Sequence, residues 1–460
     1  GHLSDYLNAV HGVSHSRRYW RIVVGPWLIH HVHNLYDHYI HLRDAFDRYP
    51  GLTTWVMDPQ SYRIPFDSVE FHQIRMHDAY NLQIFSQLLD GMGCRFPSFP
   101  LKKDWTWPTT DSWKNVTAQA AQNTVRLRGN PQRFFWKMLR KVRLRTSHVA
   151  LYQMHTSGEV LEELIRTLGR FQSISLRFPD SWSFPIPMPS FDKRRLGIAH
   201  LPCADEIESL LLRTFPHTFP VLFLEGYSQA RLEVLRRHRR FPPVISSLTG
   251  WYYDDAFKFF AAEAMERGSR LIAGQHGGGY GLFLYSASES HERKISDHYM
   301  TWGWSAGENA SCLNLPSLQI SPAVHPRPLP LRSSARSFLL YVSTANTRFL
   351  NRFLSFPVGD QIDSYIGWQV RFLSCLPQAI RSSVLYRPYM KDYGWAISDR
   401  VREKIDDIRW DDATDAVEER LHQSRLVIID HCSTLFLLTL AANIPVVLFW
   451  NPAVTEIRPD

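Results

Sequence analysis

Apolar positions recur along this chain with two periods, and each change of period marks an element. Residues 16–28, SRRYWRIVVGPWL, have a β-rich centre at 20–24 that ends on Gly25-Pro26, which predicts a strand and a turn. Residues 30–46 follow with a helical period. From Val221 onward short apolar runs alternate with helical stretches. Residues 221–224, 244–246 and 270–273 read as strands, and 229–239 and 256–267 as helices.

Residues 314–336 break the alternation with five prolines between Pro316 and Pro330 and no helical period, as an interdomain linker does. The alternation then resumes. Strands are predicted at 338–342, 384–386, 426–429 and 446–450, with helices at 361–373, 416–423 and 434–442. Strand-helix-strand order implies parallel sheets with helical crossovers. The expected fold is α/β, with two Rossmann-like domains, 1–313 and 337–460, facing a central cleft, and ligands at the carboxyl ends of the strands.

Composition narrows the class. With 460 residues, 44% apolar and 21% charged, the chain holds an ordinary globular core and is neither a small module nor disordered. Its 15 tryptophans suit ring-stacking surfaces and packed cores equally. Five cysteines without a C-x-x-C pair support neither a zinc framework nor a secreted disulfide scaffold, so a reducing compartment is expected. The longest apolar stretch, 426–450, is interrupted by Asp430, His431, Asn443 and Pro445, which argues against a bilayer span. The opening Gly-His-Leu-Ser reads as a remnant ahead of a trimmed domain, with any targeting signal lost.

Net charge is +8, and the excess is uneven. Residues 112–158 contain no acid but hold Arg126, Arg128, Arg133, Lys137, Arg140, Lys141, Arg143 and Arg145 around Phe134, Phe135 and Trp136. Such a stretch attracts phospholipid headgroups or an acidic glycan, and a solvated helix face has the same composition. No nucleic-acid-binding pattern accompanies it, so nucleic acid is not an expected partner. His30, His31, His33, His38 and His41 are dense but lack H-E-x-x-H or a backing carboxylate. They read as surface and packing residues, and no metal is expected.

Four segments can carry chemistry. Gly274-Gln275-His276-Gly277-Gly278-Gly279-Tyr280-Gly281 follows directly on the strand ending at Ala273. Its glycines let backbone approach a ligand, and His276 can donate to an anionic oxygen or move a proton, although a structural turn has the same residues. Residues 428–434 (IIDHCST) run a strand into a helix start, where Ser433 and Thr434 offer hydroxyls and N–H groups to a phosphate or simply cap the helix. Arg387 and Lys391, in YRPYMKDYGW, place two cations after a strand, to neutralise a phosphate or to line a surface loop. Carboxylates at Glu225, Asp254, Asp255, Glu289, Glu292 and Asp297 can serve as nucleophile, acid or base, or as caps and solvated groups.

Taken together, SRRYWRIVVGPWL, the D-x-F-K of Asp255 and Lys258, GQHGGGYG, HERKISDHYMTWGW, LYRPYMKDYGW and IIDHCSTLFLLTLAANIPVVLFWNP resemble a bacterial family of surface-carbohydrate transferases over nearly the whole chain. The chain is also similar to retaining Kdo transferases of the GT99 class, GT-B enzymes that use CMP-Kdo to build lipopolysaccharide O-antigen. The resemblance implies a GT-B fold. It implies a CMP-sugar donor held mainly by the C-terminal domain and a glycan acceptor held mainly by the N-terminal domain; the residues nominated for the donor are Gln275, Gly277, Arg387, Lys391, Ser433 and Thr434. It implies a carboxylate nucleophile. Among Asp255, Asp254, Glu292 and Glu225, Asp255 is favoured by its place after the strand at 244–246 and the Gly250 turn and before a helix, with His276 contacting the donor. The setting implied is the bacterial cytoplasm or the cytoplasmic face of the inner membrane.

A CMP leaving group carries one phosphate, and the chain has no D-x-D, so neither metal nor cofactor is expected beyond the donor. The unequal halves predict inserted helices before the linker, and the stop at Asp460 predicts a last helix that is missing or belongs to a longer protein. Two alternatives stand beside this reading. One is an inverting GT-B transferase with a carboxylate or His276 as base; the other is a silent glycan- or membrane-binding module.

Overall fold

The computed structural model describes residues 1–101, 149–154, 167, 176–177, 184, 186, 190–305, 311–321, 337–350, 352–353 and 356–459. The basic residues 126–145 and the linker residues 322–336 lie outside these. The described strands are β1 (Val56–Met57), β2 (Ser98–Phe99), β3 (Val149–Tyr152), β4 (Leu176–Arg177), β5 (Val244–Ser247), β6 (Arg270–Gly274), β7 (His298–Thr301) and β8 (Cys312–Asn314), then β9 (Phe338–Val342), β10 (Val384–Arg387), β11 (Arg409–Trp410), β12 (Ser424–Ile429) and β13 (Val446–Leu448). Besides the β1-β2 pair they form a six-stranded sheet, β4-β3-β5-β6-β7-β8, and a five-stranded sheet, β11-β10-β9-β12-β13.

The chain divides into two compact units, Gly1–Gly274 with Ser290–Tyr299, and Gln275–Glu289 with Met300–Asp460. This division falls after β6, whereas the sequence pattern sets a boundary at 314–336.

In the first unit β3 pairs in parallel with β4 and β5, and β5 with β6. Numbered within the sheet the order begins 2-1-3-4, so the strand order reverses at β3 and β5. Helices His2–His11, Arg17–Val23, Gly25–Arg48, Ser68–Ile74 and Asp78–Gly91 all precede β3, in keeping with the helices expected before the linker.

Two elements depart from the sequence pattern. Residues 20–24 belong to helix Arg17–Val23, not to a strand. Ser16 accepts from the Tyr19 N–H at 3.2 Å, and Tyr19, Trp20, Ile22 and Val23 are buried. Helix Asp255–Glu266 is the packing partner, where the Tyr19 hydroxyl donates to Glu263 Oε1 at 3.0 Å. Tertiary packing thus outweighs β propensity. Pro26 closes no turn; it occupies the first turn of helix Gly25–Arg48, where a missing N–H costs nothing. Residues 221–224 are not a strand either. Val221–Phe223 is a buried 3-10 turn whose Val221 and Leu222 N–H groups donate to the carbonyls of Pro65 and Phe66 at 3.0 and 2.7 Å. An apolar run there reflects burial, which periodicity cannot separate from strand.

The second unit's sheet is parallel throughout. Its order is 3-2-1-4-5 in unit numbering, the doubly wound order, with the reversal at β9 and β12. Side chains of β9 alternate between the two faces. Tyr341 packs with Ile362, Ile366, Leu373 and Tyr386 on one side, and Leu340 and Val342 with Leu421, Val427 and Ile429 on the other. Helices Gln361–Cys375, Val417–Gln423 and Thr434–Ala441 fall within a turn or less of their predicted spans. Among the described residues no helix is long and apolar enough to cross a membrane. All five cysteines are free thiols.

Candidate functional site

The reversal point at β9 and β12 is where a parallel sheet presents strand ends and helix N-termini to a ligand. In the second unit two sequence-predicted segments meet there. The Gly278 N–H donates to Thr434 Oγ1 at 2.9 Å. A Cβ on Gly278 would lie 2.5 Å from the Ser433 carbonyl, so only glycine lets this loop rest on the helix start. Gly281 has φ +71 and faces the Trp304 ring, a second place where a side chain is excluded.

Gln275 organises the loop. Its Nε2 donates to the Gly277 carbonyl at 2.9 Å, and its Oε1 accepts from Trp302 N–H at 3.0 Å and Trp304 Nε1 at 2.6 Å. With 2% exposure Gln275 shapes the loop from beneath. His276 is half-buried, with the Tyr280 hydroxyl 3.0 Å from its Nε2. Gly277 has ordinary space around it and keeps its backbone beside Thr434.

Ser433 is the N-cap of helix Thr434–Ala441, yet its side chain makes no cap hydrogen bond. Its Oγ is enclosed and unpartnered. An unsatisfied hydroxyl beside the free N–H groups of a helix start is a donor set suited to an anionic oxygen. Thr434 is turned to the glycine loop instead.

The two cations nominated for a phosphate differ. Arg387 is 7% exposed and spent internally, on Asp411 Oδ2 at 2.8 Å and the Asp415 carbonyl at 2.9 Å. Lys391 is exposed, 5.1 Å above the Tyr393 ring, and lines a pocket with Ser343, Thr344 and Ser398.

Asp430, just after β12, is not among the residues nominated from the sequence, and four side chains converge on it. Its carboxylate accepts from the hydroxyls of Tyr341 (3.0 Å) and Tyr365 (2.9 Å), from Gln369 Nε2 (2.8 Å) and from His431 Nδ1 (2.9 Å). Burial first, then the Asp430 charge, pushes both tyrosines up, so their hydroxyls stay protonated donors. A signal existed in IIDHCST: a polar pair ending an apolar strand in front of a helix. Cys432 is buried and its thiol is pushed up to about 11, which leaves little thiolate at neutral pH.

In the first unit each nominated carboxylate already has a structural bond. Asp254 caps helix Asp255–Glu266, accepting from Phe257 N–H at 2.8 Å, and is bonded by the Tyr152 hydroxyl. The cap is therefore Asp254, not Asp255. Glu225 follows no strand and pairs with the fully buried Arg195, whose Nη2 lies 2.6 Å from its Oε2. Glu292 is fully buried, 3.2 Å from the Tyr299 hydroxyl. In the second unit Glu289 pairs with Arg458 at 3.1 Å.

Asp255 sits in the richest cluster. Its Oδ1 is 2.6 Å from Lys258 Nζ, and its Oδ2 accepts from Ser68 N–H at 2.8 Å. Lys258, fully buried, also donates to Ser68 Oγ at 2.9 Å. Beside them Asp67, partly exposed, caps helix Ser68–Ile74. Removal from solvent, then the Asp255 charge, pushes its carboxyl up to about 7. A carboxyl raised toward neutrality beside a second buried carboxylate is a relation found at acid-base sites. Nothing in the sequence separates Asp67 from an ordinary helix cap. Among the described residues no group of three His, Cys, Asp or Glu is arranged to hold a metal ion.

Parallel sheets, a doubly wound strand order and polar groups gathered at strand ends define an α/β enzyme scaffold of Rossmann-like type. The model of the LIC12162 family transferase matches residues 1–460, so the chain belongs to that family and is a transferase. No curated protein matches it.

Proposed function

We propose that this transferase moves a sugar from a nucleotide donor onto a bacterial surface glycan. Ser433 supports the reading most directly: an enclosed, unpartnered hydroxyl at a helix start, at the reversal point of a doubly wound sheet. That position suits a donor phosphate, with the exposed Lys391 and His276, held by the Tyr280 hydroxyl, as the groups nominated for further anionic oxygens. Arg387 drops out of the phosphate role because Asp411 holds it.

The finer roles rest on the resemblance. The two units act as a GT-B pair in the bacterial cytoplasm or at its membrane face, the donor is CMP-Kdo, and the acceptor is a lipopolysaccharide glycan. Retention proceeds in two displacements. The Asp255 carboxylate attacks the anomeric carbon as the C–O bond to CMP breaks, and an acceptor hydroxyl then displaces Asp255 and gives up its proton. Lys258 pairs with Asp255 and orients it, and Asp67 takes that proton.

Incubation with CMP-Kdo and synthetic acceptors, read by mass spectrometry, tests the class and the donor together. Transfer with retained anomeric configuration is expected, as is a sugar adduct on Asp255 with donor alone. Transfer from a UDP- or GDP-sugar only would remove the donor assignment, and an inverted product would remove the Asp255 role.

A further inference from the structure

Residues 227–243 hold five arginines and one acid, Glu233. Helix Tyr227–Arg237 buries Tyr227, Ala230 and Val234 and packs on helix Asp255–Glu266. Gln229, Leu232 and Arg236 lie on its outer stripe, with Leu232 65% exposed. The chain then runs through Arg239 and Arg240, both exposed, to the amino end of β5. Arg270, exposed as well, opens β6 opposite Val244.

Positive charge on this face exceeds what its acids balance. Glu233 holds both Arg236 and Arg237, at 2.7 and 2.6 Å, and the buried Glu263 holds both Arg231 and Arg267, at 2.6 Å each. The side chains of Arg239 and Arg240 make no ion pair or hydrogen bond among the described residues. Arg267 also stands 5.0 Å over the Phe241 ring, which ties the end of helix Asp255–Glu266 to the same face. Of the neighbouring acids, Asp297 is paired with Arg18 at 2.9 Å, and the exposed Glu266, which accepts from Ser16 N–H at 3.2 Å, is offset by Arg270.

We infer that this face docks on an anionic phospholipid bilayer, with the arginines on headgroup phosphates and Leu232 in the boundary between headgroups and acyl chains. A dissolved polyanion would satisfy the arginines but leave Leu232 in water. The face closes the amino ends of β5 and β6, whereas Asp255 follows the carboxyl end of β5. Helix Asp255–Glu266 separates the two by roughly 18 Å, at 1.5 Å per residue. Docking therefore stands β5 and β6 with their amino ends on the membrane and turns the Asp255 cluster toward the aqueous side. The surface lies apart from the transfer chemistry, and the inference does not rest on it.

Co-sedimentation of the full chain with vesicles tests it, using phosphatidylcholine alone and equal parts phosphatidylcholine and phosphatidylglycerol at physiological ionic strength. The parent is expected to bind the anionic vesicles at least about tenfold tighter than the neutral ones. Replacing Arg239 and Arg240 together by Gln should weaken that binding roughly 25-fold, about fivefold for each charge. Leu232→Gln should weaken it about fivefold, because an amide does not enter lipid as an isobutyl group does. All three positions are exposed, so both variants should keep the parent's urea midpoint. Equal binding of the parent to both vesicles, or no binding to either, overturns the inference. Parent-like binding by the double arginine variant overturns it too, and assigns any membrane affinity to residues 126–145. A double variant that fails while Leu232→Gln binds like the parent also overturns it, since the arginines then serve a dissolved polyanion. No donor enters the assay, so each of these failures leaves the transferase reading standing.

Discussion

The two units solve the same electrostatic problem in opposite ways. Asp255 and Asp430 are both buried carboxylates close to a strand end of a parallel sheet. Asp255 is balanced by a full charge, the ammonium of Lys258, with a backbone N–H as its other partner. Asp430 has neutral donors, two tyrosine hydroxyls and an amide, together with His431. An acid paired with a cation loses its balance when either partner is removed, whereas an acid held by dipoles lends orientation to a neighbour. The first arrangement suits chemistry and the second suits recognition.

Breaking each arrangement in turn should expose the contrast. Lys258→Met leaves Asp255 buried without its cation and close to Asp67, and should cost about 3 to 5 kcal/mol of stability, read by urea unfolding. Arg387→Ala should fall in the same range, since Asp411 then keeps, among the described residues, the Ala413 N–H at 3.0 Å and the longer ion pair with Arg420 at 3.4 Å. That variant separates an internal ion pair from a phosphate clamp: a clamp would lose nucleotide affinity with unfolding unchanged. Asp430→Asn should cost less, about 1 to 3 kcal/mol, because an amide oxygen still accepts from neutral donors. A larger loss for Asp430→Asn than for Lys258→Met would reverse the comparison.

The pH dependence sharpens it further. Burial holds His11 down to about 4, and His31 and His291 down to about 3, from an ordinary value of 6.5. Each stays neutral when folded, so its contribution is full above pH 6.5 and is lost as pH falls below that value. Each titrating histidine steepens acid unfolding by up to about 1.4 kcal/mol per pH unit. Asp67 works in the other direction. Its folded value lies above the unfolded one, so its contribution is full below pH 3.8 and is lost as pH rises through about 7. Asp67→Asn keeps the helix cap and should flatten that decline, as thermal unfolding between pH 4 and 8 would show; an unchanged slope would remove Asp67 from the pair.

What was legible in the sequence follows from the same physics. Every strand expected after residue 337 is present, because a parallel strand buried on both faces must be an apolar run between turn signals. Residues 20–24 and 221–224 misled because burial in a helix and in a 3-10 turn left the same apolar signature. The glycine loop and Ser433 could be nominated because backbone approach and helix starts have fixed residue requirements. Asp67 and the Asp430 cluster could not, since their character comes from Asp255, Tyr341, Tyr365 and Gln369, between 61 and 188 positions away, brought near only by folding.

Hydrogen-deuterium exchange with and without CMP tests most directly whether recognition belongs to the second unit. Slowed exchange in peptides covering residues 274–282 and 428–437, with residues 250–262 unchanged, is the expected result. Protection confined to residues 250–262, or none anywhere at saturating CMP, would contradict it.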